Sequence, residues 1–255
     1  MPHDATSDRN LPRARQLLAG ASHVLVLTGA GVSAESGVPT FRGETGLWRN
    51  YKPEDLATPQ AFARDPVLVW EWYAWRRGRL AECQPNAAHF SLARWMASRG
   101  GVTLVTQNVD GLHHRAARTV SAEVGRALPD PITLHGSIVH DRCTRCDYRA
   151  PARAWEGAPP RCPTCAALLR PDVVWFGEVL PVDQLANAAR AATAAEVCLV
   201  VGTSGVVYPA AGLAYQARST GAILVVVDPG PTALDPDAEM LLRGPAGVIL
   251  PQLLT

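Results

Sequence analysis

The sequence predicts an α/β protein built on a parallel sheet, with a smaller unit inserted into it. Short apolar runs of strand length recur at Val24–Leu27, Val102–Thr106, Val197–Val201 and Ile223–Val227. Continuous runs of this kind suit a parallel sheet buried on both faces. Helical stretches alternate with them, as βαβ connections require. A block holding four of the six cysteines, at 137–172, shows little hydrophobic periodicity and interrupts the alternation.

A length of 255 residues, 47% of them hydrophobic and 18% charged, allows one full-sized domain or one large and one small. The net charge of +1 gives no electrostatic case for direct nucleic-acid binding. Lys52 is the only lysine among 24 basic residues, and the arginines are spread along the chain, which reads as compositional bias. No apolar run reaches about 18 residues, so no membrane span is expected. Met1–Asn10 is polar and lacks the apolar core of a signal peptide. The cysteines are too few and too grouped for a secreted disulfide scaffold, and a cytoplasmic location is expected.

In chain order, Pro12–Ala21 reads as a short amphipathic helix leading into the first strand. That strand ends in Gly29-Ala30-Gly31-Val32-Ser33-Ala34. Closely spaced glycines followed by small residues opening a helix are how a strand hands a dinucleotide pyrophosphate to a helix N-terminus. Gly29 would allow the tight turn, Gly31 would let backbone approach phosphate, and Ala34 takes the third fingerprint position. A plain βα turn is the alternative. Residues 41–85 are rich in Trp, Tyr, Arg and Pro, with a helix start at Asp65-Pro66 and Val69, Trp70, Trp72, Tyr73 and Arg76 following. Phe90–Met96 reads as a helix, 116–131 as a flexible, partly polar loop, Ile132–Leu134 as a brief strand and Ala186–Ala195 as an Ala-rich helix.

The strongest spacing signal is Cys143-x2-Cys146-x15-Cys162-x2-Cys165, two knuckles suited to tetrahedral Zn2+ held by four thiolates. A closed sulfur shell leaves no open position, so the metal is expected to be structural and to supply the folding energy of a block with few apolar residues. Gln107, Asn108, Val109 and Asp110 follow a strand, where open α/β sheets bind ligands, although an Asx-type turn would also place them there. His135, at another strand end with Gly136 after it, is a candidate general base, and the alternative is a structural histidine. Gly202, Thr203 and Ser204 repeat the strand-then-small-residue pattern, as do Asp228, Pro229 and Gly230. Asp228 could accept from ribose hydroxyls or simply close a turn. Val174, Trp175, Phe176, Gly177 and Glu178 form an apolar strand-like stretch, either core or an edge that pairs with an extended peptide.

These motifs, in this order, resemble the sirtuin family of NAD-dependent protein lysine deacylases, over about residues 20 to 255. The resemblance also takes in Pro39, Phe41 and Arg42. It implies a Rossmann-like domain from 1–40, 86–136 and 175–255, a helical module with a cofactor loop at 41–85, and a zinc-binding module at 137–174. It implies that Gly29 to Trp48 cradle NAD, with Ala30, Gly31 and Ser33 among them, Phe41 shielding the nicotinamide ribose and Arg42 nearby. Gln107, Asn108, Val109 and Asp110 would order the ribose and nicotinamide pocket, with Asn108 counted beside His135 as catalytic. Gly202, Thr203, Ser204, Asp228, Pro229, Gly230 and Ala246 would hold the adenosine side, and Val174 to Glu178 the substrate peptide. The implied chemistry consumes NAD. The acyl oxygen attacks the nicotinamide ribose, His135 takes a proton from a ribose hydroxyl, and water finishes the reaction to give lysine, nicotinamide and O-acyl-ADP-ribose.

Tyr73 and Arg76 are three residues apart and would share a helix face, where a phenol and a guanidinium can bind a carboxylate. This is similar to the Tyr-x-x-Arg pair of the sirtuin branch that removes malonyl, succinyl and glutaryl groups, and Ala57 fits that branch's widened acyl pocket. The alternative is a surface arginine pair, Arg76 and Arg77, with Tyr73 in the core. Asp228 stands where many family members have Asn, and the stretch from His113 to Leu134 is longer than usual for this branch. The implied partners are acylated-lysine proteins bound as extended peptides by a monomer. Rival readings are mono-ADP-ribosyl transfer and a zinc-ribbon module without catalysis. A dehydrogenase is disfavoured, since no acidic residue ends a second strand about twenty residues after Gly31.

Overall fold

The computed structural model describes residues 5–38 and 53–255. Six parallel strands form the main sheet: β1 (Val24–Thr28), β2 (Val102–Thr106), β3 (Ile132–Thr133), β7 (Val197–Val201), β8 (Ile223–Val227) and β9 (Met240–Leu242), in the order β3-β2-β1-β7-β8-β9. Three more strands, β4 (Gly136–Cys143), β5 (Arg149–Pro151) and β6 (Leu169–Val173), make a separate antiparallel sheet in the order β5-β4-β6. The fold is a Rossmann-like α/β sheet with a smaller sheet inserted between β3 and β7.

Alternation along the central strands splits the core into two layers. Val24 and Val26 of β1 join Leu199 of β7 and Val225 of β8 on one face, beneath α1 (Ala5–Gly20), α5 (Ala87–Ser98) and α9 (Ala246–Leu253). Leu25 and Leu27 join Cys198, Val200 and Val226 on the other, beneath α7 (Val182–Ala194) and α8 (Gly212–Ser219). Cys198 is therefore core, and burial pushes its thiol up to about 12.

Local chemistry sets the helix starts. Between β1 and β2 the chain forms α2 (Pro53–Leu56), α3 (Pro59–Arg64) and α4 (Pro66–Ala81). The Asp65 side chain accepts from the Leu68 N–H and Pro66 fills the first turn of α4, as the sequence predicts. Asn86 caps α5, and His89 reaches back to the Asn86 N–H in a reciprocal capping box. The segment after the first glycines is a 3-10 turn, Ala30–Ser36, rather than an α-helix. The 116–131 loop is a correction: α6 spans Leu112–Val124. Its buried face is Leu112, His113, Ala116, Ala117 and Val120, which recur with helical spacing between polar residues, so the amphipathic signal was present in the chain. The helix of Pro12–Ala21 extends back to Ala5, and β9 and the helices α2, α3 and α8 had no counterpart in the sequence reading. Among the described residues no helix is long and apolar enough to cross a membrane.

The helical layer and the small sheet share one core, with Trp70, Tyr73, Ile138, Leu169 and Trp175 at its centre. Two polar ties lock it. Trp70 Nε1 donates to the Leu169 carbonyl at 3.0 Å, and Arg77 reaches the fully buried Asp141 carboxylate of β4 at 2.6 Å. Arg77 also donates to the Ile138 and His140 carbonyls, so it is no surface arginine. Removing one partner of a buried pair strands the other charge. Arg77→Ala is expected to lower the unfolding free energy by about 3–5 kcal/mol in chemical denaturation of the metal-loaded protein.

Candidate functional site

The chain leaves β1 to one side for β2 and the other side is taken by β7, so the topological switch point lies between β1 and β7, where open α/β sheets bind ligands at the strands' C-terminal ends. Two glycine segments meet there backbone to backbone. The Gly31 N–H donates to the Gly202 carbonyl at 2.8 Å. A Cβ on Gly31 would lie 2.7 Å from Gly202 Cα, and one on Gly29 2.6 Å from Thr203 Cβ. The glycines thus answer a demand of the protein's own backbone, beyond the tight turn expected of Gly29 and the phosphate approach expected of Gly31.

Ser33, two residues on, is the hub of a buried polar network. Its hydroxyl donates to Asp110 Oδ2 at 2.7 Å and accepts from Asn108 Nδ2 at 3.1 Å. His89 Nε2 lies 3.3 Å from the same oxygen, and its Nδ1 lies 3.2 Å from the Asn86 backbone nitrogen and 3.0 Å from Asn86 Oδ1. Asp110 also accepts from the Leu112 N–H at 2.9 Å, yet burial outweighs these bonds and raises its pKa. Beneath lies a second histidine, His113, with its ring 4.7 Å from His89 and Nε2 3.0 Å from Thr28 Oγ1. Thr28 in turn donates to Thr106 at 2.8 Å, and His113 Nδ1 has no hydrogen-bond partner among the described residues. Burial holds His89 down to about 4 and His113 well below the ordinary histidine range. His89 is not among the site residues expected from the sequence. The capping pattern Asn86-x-x-His89 was the available signal.

His135 follows β3. Its Nδ1 donates to the Gln107 carbonyl at 2.9 Å, which leaves Nε2 as the proton acceptor. Burial, partly opposed by that bond, lowers its pKa and keeps the ring neutral near pH 7. Gln107 reaches across the switch point to Thr203 Oγ1 at 3.1 Å. On the far side the Asp228 carboxylate accepts from the Gly230 N–H at 2.9 Å, and its pKa is raised by burial. Pro229 lies in the same turn, Ser204 accepts the Ala233 N–H through its carbonyl, and Ala246 opens α9. Phe41, Arg42 and Trp48, together with Pro39, lie outside the described residues.

Tyr73 and Arg76 lie on one face of α4. Tyr73 is buried and its hydroxyl accepts from Trp175 Nε1 at 2.8 Å. The Arg76 guanidinium stacks 4.7 Å from the Trp72 ring and 5.7 Å from that of Tyr73. It lines a small cavity with Val38, Cys83, Ile138, Val109 and Asp110. Burial lowers its pKa, and the Tyr73 hydroxyl and Asp110 act in the opposite sense. The strand before the Val174–Glu178 stretch ends at Val173, and the chain then turns at Phe176-Gly177. Trp175 is buried under Arg170, whose guanidinium lies 3.2 Å above its ring. Glu178 is held by Arg170 at 2.6 Å and accepts from the Trp175 N–H. The Phe176 N–H donates to the Ala57 carbonyl at 2.9 Å, and Val174 N–H to that of His135. Phe176 itself is exposed.

The four cysteine sulfurs lie within 4.8 Å of one another, with Cys143 and Cys165 at 3.4 Å and Cys146 and Cys162 at 3.6 Å. Zn–S bonds of about 2.3 Å in a tetrahedron put sulfurs about 3.8 Å apart, so the cluster fits one zinc ion in a closed four-thiolate shell.

A model of the Sir2 family matches residues 29–209. An NAD-dependent protein deacylase of Ralstonia nicotianae is 52% identical over 256 residues, spanning 98% of both chains. One of Pyrococcus furiosus is 48% identical over 246 residues, spanning 94% of both. A solved complex of a Sir2 homologue with NAD superimposes with a TM-score of 0.87 at 43% identity, covering 100% of this chain and 95% of the other.

Two outcomes follow from this chemistry. Cys143→Ser should release bound zinc, measured by metal analysis, and lower the melting temperature, because the small sheet has little apolar core of its own around the knuckles. The buried neutral histidines should make the fold acid-sensitive. Unfolded, each takes up a proton near pH 6.5, whereas the folded state refuses it until about 4 for His89, and burial holds His113 well below its ordinary range too. Stability is therefore expected to fall as pH drops below 6.5, by up to about 1.4 kcal/mol per pH unit for each histidine. His113→Gln should flatten that slope in denaturation measured between pH 7.5 and 4.5.

Proposed function

The chain belongs to the Sir2 family, and from that premise we propose that this NAD-dependent protein-lysine deacylase removes succinyl and malonyl groups as well as acetyl groups. One observation carries the acyl preference. The Arg76 guanidinium stands beside the Tyr73 ring in a cavity shared with Val109 and Asp110 of the strand-end segment. A half-buried arginine fork beside a phenol is suited to a carboxylate at the end of an acyl chain. Ala57, next to the turn at Phe176, leaves that region without a bulky side chain.

The remaining roles belong to the same reading. The parallel sheet (1–40, 86–136 and 175–255) would bind NAD, with 41–85 supplying the acyl-recognition helix and 137–174 the zinc module. NAD supplies the electrophilic ribose carbon when bound. His135 presents Nε2, with Nδ1 fixed on Gln107, and accepts a proton from a ribose hydroxyl. Asn108 and Asp110, both bonded to Ser33, hold the nicotinamide and ribose end. Gln107 with Thr203, and Asp228 with Gly230, hold the rest. The exposed Phe176 and the backbone of Val174 to Glu178 receive the extended substrate peptide, whose main-chain contacts tolerate many sequences.

Nicotinamide release and mass spectrometry with matched acetyl-, succinyl- and malonyl-lysine peptides test this. Arg76→Met should cut kcat/KM for the succinyl peptide about thirty-fold to a few thousand-fold, the effect of removing one partner of a desolvated charge pair, and leave the acetyl peptide much less affected. Equal losses on both substrates would remove the carboxylate clamp. Nicotinamide release with ADP-ribose appearing on protein, and no acyl transfer, would favour mono-ADP-ribosyl transfer.

A further inference from the structure

Helix α9 begins at Ala246 with no cap of its own: Pro245 precedes it, no side chain at its start accepts a hydrogen bond, and its first turn holds no acidic residue. An N-terminal amide of such a helix needs a partner. The Gly247 N–H finds one 212 residues away in sequence, donating to Glu35 Oε2 at 2.6 Å. Glu35 sits in the 3-10 turn Ala30–Ser36 that carries Gly31 and Ser33. A Cβ on residue 247 would lie 2.9 Å from each Glu35 carboxylate oxygen, so the glycine is what lets the carboxylate come this close. The anion also lies at the positive end of the α9 dipole.

We propose that Glu35 is a positioning residue for the adenosine half of NAD. It fixes the start of α9, with Ala246, against the glycine turn. The proposal rests on the reading above, in which Gly29–Ser33 and Ala246 contact the cofactor. Tertiary capping explains why an exposed glutamate in the turn carries a single long-range bond. It also explains a glycine in the first turn of a helix, where alanine would favour helix formation more. Ser33, in the same turn, keeps its own buried bonds to Asn108 and Asp110, so loss of the Glu35 tie is expected to fall on the α9 side of the turn and on the adenosine end of the cofactor.

The test compares wild type, Glu35→Ala, Glu35→Asp, Glu35→Gln and Gly247→Ala as full-length, zinc-loaded protein, by calorimetry with ADP-ribose and by steady-state kinetics. Glu35→Asp keeps the charge and loses the reach. Glu35→Gln keeps the reach and loses the charge. Glu35→Ala, Glu35→Asp and Gly247→Ala are expected to weaken ADP-ribose binding and raise the KM for NAD about three- to fivefold. The KM for acyl peptide and the inhibition constant of nicotinamide should stay as in wild type, with Glu35→Gln between wild type and Glu35→Ala. Unchanged ADP-ribose affinity in Glu35→Asp and Gly247→Ala overturns the proposal, and so does a shift of the peptide and nicotinamide constants by the same factor. Should Glu35→Ala fail to fold, Glu35→Asp and Gly247→Ala decide. A wild type that binds ADP-ribose but releases nicotinamide without acyl peptide defeats the deacylase reading and leaves the binding test intact. A wild type that does not bind ADP-ribose defeats both.

Discussion

The close approach of Gly31 to Gly202 is the constraint on which the rest of the site depends. The two backbones meet with a 2.8 Å hydrogen bond and no room for a side chain on either. That contact sets how near the β1 exit lies to the β7 exit, and hence where Ser33 and Thr203 stand. From Ser33 the geometry passes to Asn108 and Asp110, and from Thr203 to Gln107. Gln107 then holds His135 through its carbonyl. One glycine pair thus fixes residues contributed by four separate strand ends, without any of them needing a long loop to reach the others.

This arrangement concentrates polar groups where the core is dry, and its balance of protonation follows. Asp110 is held by the Ser33 hydroxyl and the Leu112 N–H, while burial pulls its pKa upward. His89 and His113 stay neutral because charging either would bury a cation beside another imidazole. Each neutral histidine sets Nε2 against a hydroxyl, His89 at Ser33 and His113 at Thr28. A continuous polar chain therefore runs from Asn86 through His89 to Ser33 and Asp110.

Much of this was legible in the chain. The four central strands, the Asp65-Pro66 helix start and the four-cysteine cluster each rest on a local signal of strong physical origin: apolar runs, a cap, thiolate spacing. α6 was legible in principle, since Leu112, Ala116, Ala117 and Val120 recur with helical spacing, and the arginines and polar residues between them led to a loop assignment instead. The role of His89 was hidden for a different reason. A histidine on a helix looks alike whether its ring meets solvent, core or a hydroxyl from a 3-10 turn 56 residues earlier. The turn at Phe176-Gly177 was read as a strand since Val173, Val174 and Trp175 are good strand formers. The glutamate that ends it is what draws the chain round, through its bonds to Arg170 and the Trp175 N–H.

Adjacent arginines on α4 show why residue type alone could not settle the substrate face. Arg77 points at the small sheet and is used up by Asp141 and two carbonyls. Arg76, one residue earlier and so about 100° round the helix, turns toward the strand-end segment instead. The first secures α4 against the zinc-bearing sheet, and that fixed helix lets the second hold a defined place beside Tyr73. Tyr73 is itself pinned by Trp175, and Trp175 by Arg170 and Glu178. The Arg76 end of the site is therefore rigid because of charges and rings buried behind it. On the proposed reading, a guanidinium presented from so fixed a backing is what would tell an acyl group with a carboxylate from one without.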